Sequence, residues 1–353
     1  MSELFQKASK YLKEKLPFVI YSKPNQGEII GIFQENASLN FTEDFAQTGF
    51  VFAPFDGEKF ILIPEKDSEI LVENFEKISD SNYSEFKDEI NFSAKENFEN
   101  LVQKGIDAIN SGNFQKVVLS RTEAVSLENE DAVHLFQKLV ATYETAFKYC
   151  FFHPEVGLWL GATPEQLLKA NSGKIKTVAL AGTQIFKEGE IIWEEKEKKE
   201  QQFVTDFILE NLNEFVSAKT FTEPYTFRAG NIVHIKTDIS ATLKDKKDFK
   251  KILKILHPTP AVCGLPKAPS KGFILKNEGY NREFYAGFLG ELNKDFAQNE
   301  LEKTDLFVNL RCMKLENKTA NLFIGCGITK DSNPEKEFFE TDNKSKTMKK
   351  ILA

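Results

Sequence analysis

Charged side chains with the spacing of one helical face occur near the C-terminus of the sequence. Glu337, Glu340 and Lys344 follow an i, i+3, i+7 pattern, and Met348 and Ile351 extend the same face with core residues. Two carboxylates and an ammonium on such a face could form a site for a charged ligand. Acidic side chains on a helix are also commonly solvated, so this stretch alone leaves both interpretations open.

A strand, a glycine pair and a helix start are expected to position this charged face. The apolar run 322–324 predicts a buried strand that ends at Gly325 and Gly327. Glycines at a strand end remove side chains, which allows backbone N–H groups to approach a ligand closely. The Ser-Asn-Pro sequence at 332–334 predicts a helix cap followed by proline at the first helical position.

A further glutamate lies in phase with a predicted core stripe. Residues 191–213 predict a long helix, and Val204, Ile208 and Leu212 lie on its buried face. One turn before Val204, the same face reaches Glu200. A buried glutamate is costly unless it has a cation, a hydrogen-bonding partner or a proton. The alternative is that the helix protrudes and Glu200 is solvated.

Polar residues beside other apolar strands are candidates with ordinary alternatives. Lys116 opens the strand 117–119, where a lysine is usually a solvated residue that protects the sheet edge. Glu165 follows a strand and the pair Thr-Pro, which predicts a helix start where an acid interacts with the helix dipole. The small residues 181–183 follow another strand and predict a backbone wall for a pocket. His234 lies within a strand, where a histidine is more often satisfied in the core.

Composition and charge narrow the class of protein. The sequence of 353 residues has 41% hydrophobic residues, 28% charged residues and a net charge of −7, without a lysine or arginine block. These values predict a soluble globular protein and argue against nucleic acid or an anionic membrane as a partner. The scattered cysteines and histidines form neither CxxC nor HExxH motifs, which argues against structural zinc and disulfides. We expect a cytoplasmic monomer without a signal peptide.

The N-terminal region has the pattern of a scaffold. Short apolar runs separated by glycine, asparagine and proline up to about residue 91 predict antiparallel strands without a catalytic pattern. Length alone is compatible with two domains. We predict one domain over 1–353, in which 1–95 supply scaffold strands and 96–353 form the catalytic region.

Motifs in the C-terminal two-thirds of the sequence resemble the chorismate-utilising enzymes. This family includes isochorismate synthase, salicylate synthase, anthranilate synthase component one and aminodeoxychorismate synthase. Each motif is weak alone, but their order is specific. They are KVVLSR at 116–121, GATPEQ at 161–166, LAGT at 180–183, the acidic helix around Glu200, HPTPAVCG at 257–264, YAGFLG at 285–290, NLRC at 309–312, and GCGI at 325–328 followed by EFFETDNK at 337–344.

The resemblance implies a fold and a metal. The implied fold is an α+β protein of the anthranilate-synthase type, with two antiparallel β-sheets packed face to face, helices outside and chorismate between the sheets. Family members hold the ring carboxylate of chorismate through Mg²⁺. Glu200 and Glu340 match the metal glutamates, and Glu337 matches a neighbouring acid that acts directly or through water. Three converging carboxylates need a divalent cation, and Mg²⁺ prefers oxygen ligands.

The resemblance also implies a set of substrate contacts. Arg311 matches an arginine that grips a substrate carboxylate, for which the bidentate guanidinium is suited. Val262 and Leu310 match apolar contacts. The other residues expected in the substrate site are Gly182, Thr183, His234, Tyr285, Gly325, Gly327 and Lys344.

Within the family that the sequence resembles, the residue at position 116 distinguishes enzymes that use ammonia from enzymes that use water. In family members that use ammonia, the residue at this position resembles a glutamine. In members that use water, it is a lysine. Lys116 is expected to remove a proton from water attacking the ring 2-position, and Glu165 to protonate the departing 4-hydroxyl. A dry pocket favours the neutral forms that both roles require. Ala181 further argues against aminodeoxychorismate synthase, which places a nucleophilic lysine there.

The expected activity is therefore the Mg²⁺-dependent isomerisation of chorismate to isochorismate. Salicylate synthase, which then eliminates pyruvate in the same site, is the alternative that these motifs do not separate. A binding module without activity is the alternative from another class, and both menaquinone and siderophore pathways begin with this step. The sequence departs from the family at Glu197, Gln201 and Cys326, where relatives commonly carry aspartate, histidine and alanine.

Overall fold

Runs of apolar residues in this sequence form two large antiparallel β-sheets, as the resemblance implies. The computed structural model describes residues 2–75, 90–128, 131–186, 188–189, 191–229 and 232–353. For residues 183, 185, 229 and 232, the structure describes the backbone but not the side chain. The segment from 80 to 89, which the sequence marks as polar and acidic, lies outside the described residues.

The described residues include seven α-helices. In chain order they are α1 (Glu3–Glu14), α2 (Phe92–Asn110), α3 (Ala132–Thr142), α4 (Glu195–Leu212), α5 (Phe249–Leu256), α6 (Lys267–Asn277) and α7 (Pro334–Leu352), with 3₁₀ turns at Glu65–Asp67 and Lys246–Asp248. No described helix is both long enough and apolar enough to span a bilayer.

The strands are mostly short and consecutive ones often pair. In chain order they are β1 (Phe18–Ser22), β2 (Glu28–Gln34), β3 (Asn40–Thr42), β4 (Gly49–Ala53), β5 (Phe60–Pro64), β6 (Ser68–Asn74), β7 (Lys116–Ser126), β8 (Phe147–His153), β9 (Gly157–Thr163), β10 (Gln166–Asn171), β11 (Lys174–Ile185), β12 (Val216–Phe221), β13 (Tyr225–Ala229), β14 (Ile232–Leu243), β15 (Gly264–Leu265), β16 (Phe288–Leu292), β17 (Lys294–Asp295), β18 (Glu300–Leu301), β19 (Lys303–Val308), β20 (Cys312–Glu316) and β21 (Thr319–Ile328).

The two sheets interleave the chain. The first sheet has the order β15-β7-β21-β20-β9-β8-β1-β2-β6, and the second has the order β12-β14-β11-β10-β19-β16-β4-β5-β3, with β13 also paired to β14. The predicted N-terminal strands therefore divide between both sheets: β1, β2 and β6 join the first, and β3, β4 and β5 join the second. This arrangement requires the chain to cross between sheets several times.

Aromatic side chains fill the space between the sheets. Phe147 of β8 stacks on Phe307 of β19 with ring centroids 4.4 Å apart. Phe52 of β4 contacts Phe151 of β8 at 4.5 Å. Such rings bury large apolar areas and gain a further stabilisation from stacked or tilted contacts. The sheets are therefore packed face to face, as predicted.

Helices cover the outer face of the first sheet. Their buried residues form a second apolar cluster with the outward-facing residues of that sheet, including Leu4, Phe136, Met348, Leu322 and Ile324. Helix α7 thus lies against β21, and the predicted core residues Met348 and Ile351 are fully or almost fully buried. The predicted cap is confirmed, because the Asn333 side chain accepts a hydrogen bond from the backbone N–H of Lys336.

Two local predictions are wrong. Strand β21 does not end at Gly325 but continues through Gly327 to Ile328, because β7 pairs with it over that whole length. Glu165 does not start a helix. Pro164 and Glu165 instead connect β9 of the first sheet to β10 of the second. The helix signal of the Thr-Pro-Glu sequence is local, whereas the sheet crossing is imposed by tertiary packing.

The aromatic layer between the sheets predicts a specific loss of stability. Phe307→Ala should lower the free energy of unfolding by about 3–5 kcal/mol, because it removes a large buried ring and leaves a cavity. Phe221→Ala is the matched control, because Phe221 is 56% exposed whereas Phe307 is 2% exposed. Urea denaturation of both variants measures the difference. Equal effects of the two substitutions would contradict the proposed role of the ring.

Candidate active site

A cavity lies between the sheets where β7 and β21 approach β11 and β14, and helices α4 and α7 contribute charged residues to it. Most of the residues predicted from the sequence line this cavity. They are Glu165, Gly182, Glu200, His234, Val262, Tyr285, Leu310, Arg311, Gly325, Gly327, Glu340 and Lys344. Of the other three, Lys116 contacts a lining residue, Glu337 pairs with one, and the Thr183 side chain lies outside the described residues.

Lys116 is a buried ammonium at the edge of the cavity. The two-residue period of β7 directs Lys116 to the same face as Val118, which lines the cavity. The Lys116 Nζ lies 2.8 Å from Glu200 Oε1, and its side chain is 0% exposed. Nζ has no hydrogen-bond partner beyond this ion pair in the part of the chain that the structure describes. The alternative of a solvated lysine at a sheet edge is therefore wrong.

Gly327 makes the contact between Lys116 and Glu200 possible. A Cβ atom at this position would lie 2.6 Å from Glu200 Oε1 and 3.2 Å from Lys116 Cε. At Gly325, a Cβ would lie 2.7 Å from the hydroxyl of Tyr285. The glycines therefore admit side chains from other elements to the cavity wall, which is a different role from the strand end predicted from the sequence.

Glu200 is held in its charged form. Helix α4 packs on the second sheet through Val204, Ile208 and Leu212, and the same face carries Glu200 to the cavity one turn earlier. Burial alone would raise the pKa of Glu200. Although burial is the largest single influence, the ammonium groups of Lys116, Lys196 and Lys344 together outweigh it and hold the pKa of Glu200 below its usual value. The solvated alternative for Glu200 is therefore wrong.

Glu165 has the opposite electrostatic environment. It is 8% exposed, in the connection between β9 and β10. Burial raises its pKa to about 7, although the positive charges of Lys116, Arg311 and Lys344 oppose this shift. A carboxyl group that is partly protonated near neutral pH can donate a proton to a bound ligand.

Arg311 lines the cavity, and its guanidinium has no partner among the described residues. It lies between β19 and β20 with a φ of 47°, a left-handed conformation that is uncommon for residues other than glycine. Its guanidinium makes no hydrogen bond or ion pair with the described residues, and it lines the cavity near Tyr285 and Leu310. A planar fork of donors in this state fits a carboxylate of a ligand.

His234 contributes to the wall in its neutral form. Its Nδ1 lies 2.9 Å from the carbonyl oxygen of Gly182, which can only accept, so Nδ1 carries the proton. Burial lowers the pKa of His234 to about 4. Gly182 has a φ of 71° and lies at a bulge between β11 and β14. This backbone conformation favours glycine and directs the Gly182 carbonyl to the histidine.

Glu340 and Glu337 both come from α7, but they differ in position. Glu340 lines the cavity and pairs with Lys344 at 2.7 Å. Glu337 is 3% exposed and pairs with Lys196 at 3.0 Å. Burial and the nearby charge of Glu340 raise the pKa of Glu337. Among the described residues, no three acidic, histidine or cysteine side chains converge closely enough to coordinate one ion.

The donor chemistry of the site nevertheless fits Mg²⁺. Glu200 and Glu340 bring carboxylates to one cavity, and Glu197 adds a third. The Oε2 atom of Glu197 is buried and has no hydrogen-bond partner within the described ranges. Carboxylate oxygens are the ligands that Mg²⁺ prefers.

Sequence reasoning missed Lys196, which lines the cavity beside Glu197. No local signal distinguishes Lys196 from the other lysines of its helix. Its partner Glu337 is 141 positions away in the chain, so only the fold reveals the pair.

The departures at Gln201 and Cys326 have structural explanations. Gln201 is buried and its amide donates to the hydroxyls of Thr205 and Thr237, each at 2.8 Å. It therefore ties α4 to β14. The Cys326 sulfur lies in the apolar core, and burial raises its pKa well above the ordinary value. A thiol with a raised pKa stays protonated and unreactive.

Comparisons with known proteins show which family this chain resembles. A family model described as "Chorismate binding enzyme" matches residues 58–353. The "Salicylate biosynthesis isochorismate synthase" of Pseudomonas aeruginosa is 31% identical over 267 residues, covering 72% of this chain and 54% of that protein. The isochorismate synthase MenF of Escherichia coli is 30% identical over 264 residues, covering 71% of this chain and 59% of that protein. The chain thus matches somewhat over half the length of each relative.

Structural similarity extends over the entire chain. The solved structure of the menaquinone-specific isochorismate synthase from Escherichia coli superimposes with a TM-score of 0.80. The match covers 100% of this chain and 92% of that one, at 20% sequence identity. At this identity the likeness shows the fold, which confirms the predicted α+β architecture.

The environment of Glu165 predicts a stability that depends on pH. The folded protein favours the neutral carboxyl, so its contribution is present below the unfolded-state pKa of about 4.3 and is lost as pH rises through about 7. Glu165→Gln stays neutral and should exceed the wild type in free energy of unfolding by about 2–4 kcal/mol at pH 8, falling to about 1 kcal/mol at pH 5.

Urea denaturation at both pH values measures this effect. Glu155→Gln is the matched control, because Glu155 is an exposed glutamate outside the cavity. A Glu165→Gln variant that is no more stable than the wild type at pH 8 would contradict the assigned environment of Glu165.

Proposed function

Because this chain belongs to the chorismate-binding enzyme family, we propose that it converts chorismate to isochorismate with Mg²⁺ as cofactor. The observation that carries the proposal is a buried base and a buried acid at one cavity. The Lys116 amino group is fully buried, and the Glu165 carboxyl has a pKa of about 7. Addition of water to one ring carbon and loss of hydroxyl from another require these two functions.

Lys116 and Glu165 carry out the two proton transfers of the proposed reaction. Lys116 Nζ, in its neutral form, accepts a proton from the water whose oxygen bonds to the ring 2-position. Both ring double bonds shift by one position, the bond from the 4-position to its hydroxyl oxygen breaks, and Glu165 donates its proton to that oxygen. One water is added and one is released, so the product is an isomer of the substrate.

Other residues of the cavity hold the ring in place. Arg311 binds one carboxylate of chorismate through its uncommitted guanidinium. Val262 and Leu310 contact the apolar parts of the ring, and the hydroxyl of Tyr285 lies beside Gly325 on the same wall. Fixing the ring between a base and an acid removes most of the orientational freedom that the reaction would otherwise have to lose.

Mg²⁺ would be held by Glu200 and Glu340, with Glu337 acting directly or through water. When bound, the ion neutralises the ring carboxylate and so stabilises the negative charge that this group gains during the reaction. Glu200, Glu337 and Glu340 would thus hold the ion, whereas Lys116 and Glu165 would move protons. This division leaves proton transfer to the protein side chains.

Names of the relatives support this choice of product. Both curated relatives and the structural neighbour are named as isochorismate synthases. Lysine at position 116 fits the water-using branch of the family, as the sequence resemblance implies. We further propose that the protein acts as a cytoplasmic monomer on this small substrate, without a nucleic acid or a membrane as partner.

The proposal is tested by product analysis. Purified protein is incubated with chorismate and Mg²⁺, and products are separated by liquid chromatography and identified by NMR. Isochorismate alone is the expected product. Salicylate fluorescence with release of pyruvate would show that the site also catalyses the elimination. Binding of chorismate without conversion, or conversion only with ammonia, would contradict the proposal.

Lys116→Gln should reduce the turnover number by about two to four orders of magnitude, because it removes the proton acceptor. Lys148→Gln is the matched control. Lys148 is also buried, but its Nζ hydrogen-bonds to the backbone carbonyl of Lys23, and it does not line the cavity. Turnover is measured per folded protein, with folding checked by circular dichroism. Near-normal turnover of Lys116→Gln would exclude Lys116 as the base.

A further inference from the structure

Each of the carboxylates assigned to Mg²⁺ is paired with a lysine ammonium in the structure. The pairs are Lys116–Glu200 at 2.8 Å, Lys196–Glu337 at 3.0 Å and Lys344–Glu340 at 2.7 Å. Lys116 and Lys344 already have proposed roles toward the substrate. Lys196 has none, although it lines the cavity and pairs with Glu337.

Lys196 lies one helical turn before Glu200 on α4 and reaches across to α7. Its side chain is 29% exposed and lines the cavity, while its partner Glu337 is 3% exposed. Glu200 and Glu340 also lie close enough to stabilise its positive charge. One ammonium therefore interacts with carboxylates from two helices, which is the electrostatic role that a bound cation would fill.

Removing this ammonium would leave like charges together in a poorly solvated place. Glu337 and Glu340 are three residues apart on the same helix face, and the Glu337 side chain is only 3% exposed. Carboxylates in such a position require a cation or a proton. In the protein without metal, Lys196 meets this requirement.

We propose that Lys196 is the resident counter-cation of the metal-free site, and that Mg²⁺ binds in competition with its ammonium. The inference rests on the proposed Mg²⁺ site. Glu337 must exchange its ammonium partner for the metal or for a metal-bound water, and this exchange weakens the observed affinity. The side chain of Lys196 is partly exposed, so it can swing out of the cavity toward solvent. Lys196 thus sets the concentration of Mg²⁺ at which the site loads.

The inference predicts that neutral variants bind Mg²⁺ more tightly. Lys196→Met and Lys196→Gln should each lower the dissociation constant for Mg²⁺ at least about tenfold, a change of about 1.4 kcal/mol. Isothermal titration calorimetry without chorismate measures this constant, independently of catalysis. Lys196→Gln keeps a hydrogen-bond donor for Glu337, so it provides a second measurement if Lys196→Met folds poorly.

Melting temperatures give an independent readout. Without metal, both variants should melt below the wild type, because Glu337 and Glu340 lose their counter-cation. Saturating Mg²⁺ at one fixed concentration c should raise their melting temperatures by more than it raises that of the wild type, since ligand binding stabilises the folded state by RT ln(1 + c/Kd), which grows as Kd falls. A role of Lys196 in holding Glu337 ready for the metal would instead make the rise smaller.

Two controls separate competition from a general effect of charge. Lys198→Met removes a lysine of the same helix that is 56% exposed and pairs with Glu195, away from the three carboxylates. Lys196→Arg keeps the positive charge. The dissociation constants of both controls for Mg²⁺ should lie within about threefold of the wild-type value, which is less than the change of about tenfold expected for the neutral variants.

The outcomes distinguish this inference from the proposed function. Mg²⁺ binding by the wild type, with equal or weaker binding by both neutral variants, would overturn the competition. Absence of Mg²⁺ binding in every protein, including the neutral variants, would overturn the metal site itself and the inference with it. Binding that appears or tightens only when the charge at 196 is removed supports the competition.

Discussion

The fold around the cavity is organised by one buried ion pair, between Lys116 of the first sheet and Glu200 of α4. Removing an ammonium and a carboxylate from water costs several kcal/mol for each group, and the loss is offset only by close and well-supported contact. The contact depends on Gly327, on the pairing of β7 with β21, and on the packing of α4 against the second sheet. A shift in any of these elements would separate the charges or expose them.

The same cavity holds a second carboxyl group in the opposite state. Glu200 lies against an ammonium and stays ionised, whereas Glu165 is governed mainly by burial and is partly protonated near neutral pH. Two glutamates thus receive different chemical roles from their surroundings. The difference follows from topology, because Glu200 arrives on a helix beside Lys116 and Glu165 lies in the connection between two sheets.

Local sequence patterns predicted the residues whose position depends on one element. The stripe of α4 identified Glu200 as buried, and the spacing on α7 brought Glu340 and Lys344 to one face of the cavity. The two-sheet architecture came from the resemblance, since local patterns show only strands and helices. The path of the chain at Glu165 was mispredicted, because a Thr-Pro-Glu sequence favours a helix start while the pairing of β10 with β19 draws the chain into a strand. Lys196 was missed because its partner is distant in sequence.

The balance of charge in the cavity argues for a metal with this substrate. Chorismate carries two carboxylates, and Arg311 is a cation whose guanidinium has no partner in the described part of the chain. The lysines of the site are each engaged by a glutamate, and His234 is neutral because burial lowers its pKa to about 4. Among the described residues, the cavity therefore offers one free cation for two negative groups. Mg²⁺ held by Glu200 and Glu340 would supply the missing charge, and the Lys344 ammonium, which pairs with Glu340, would then be available to the substrate.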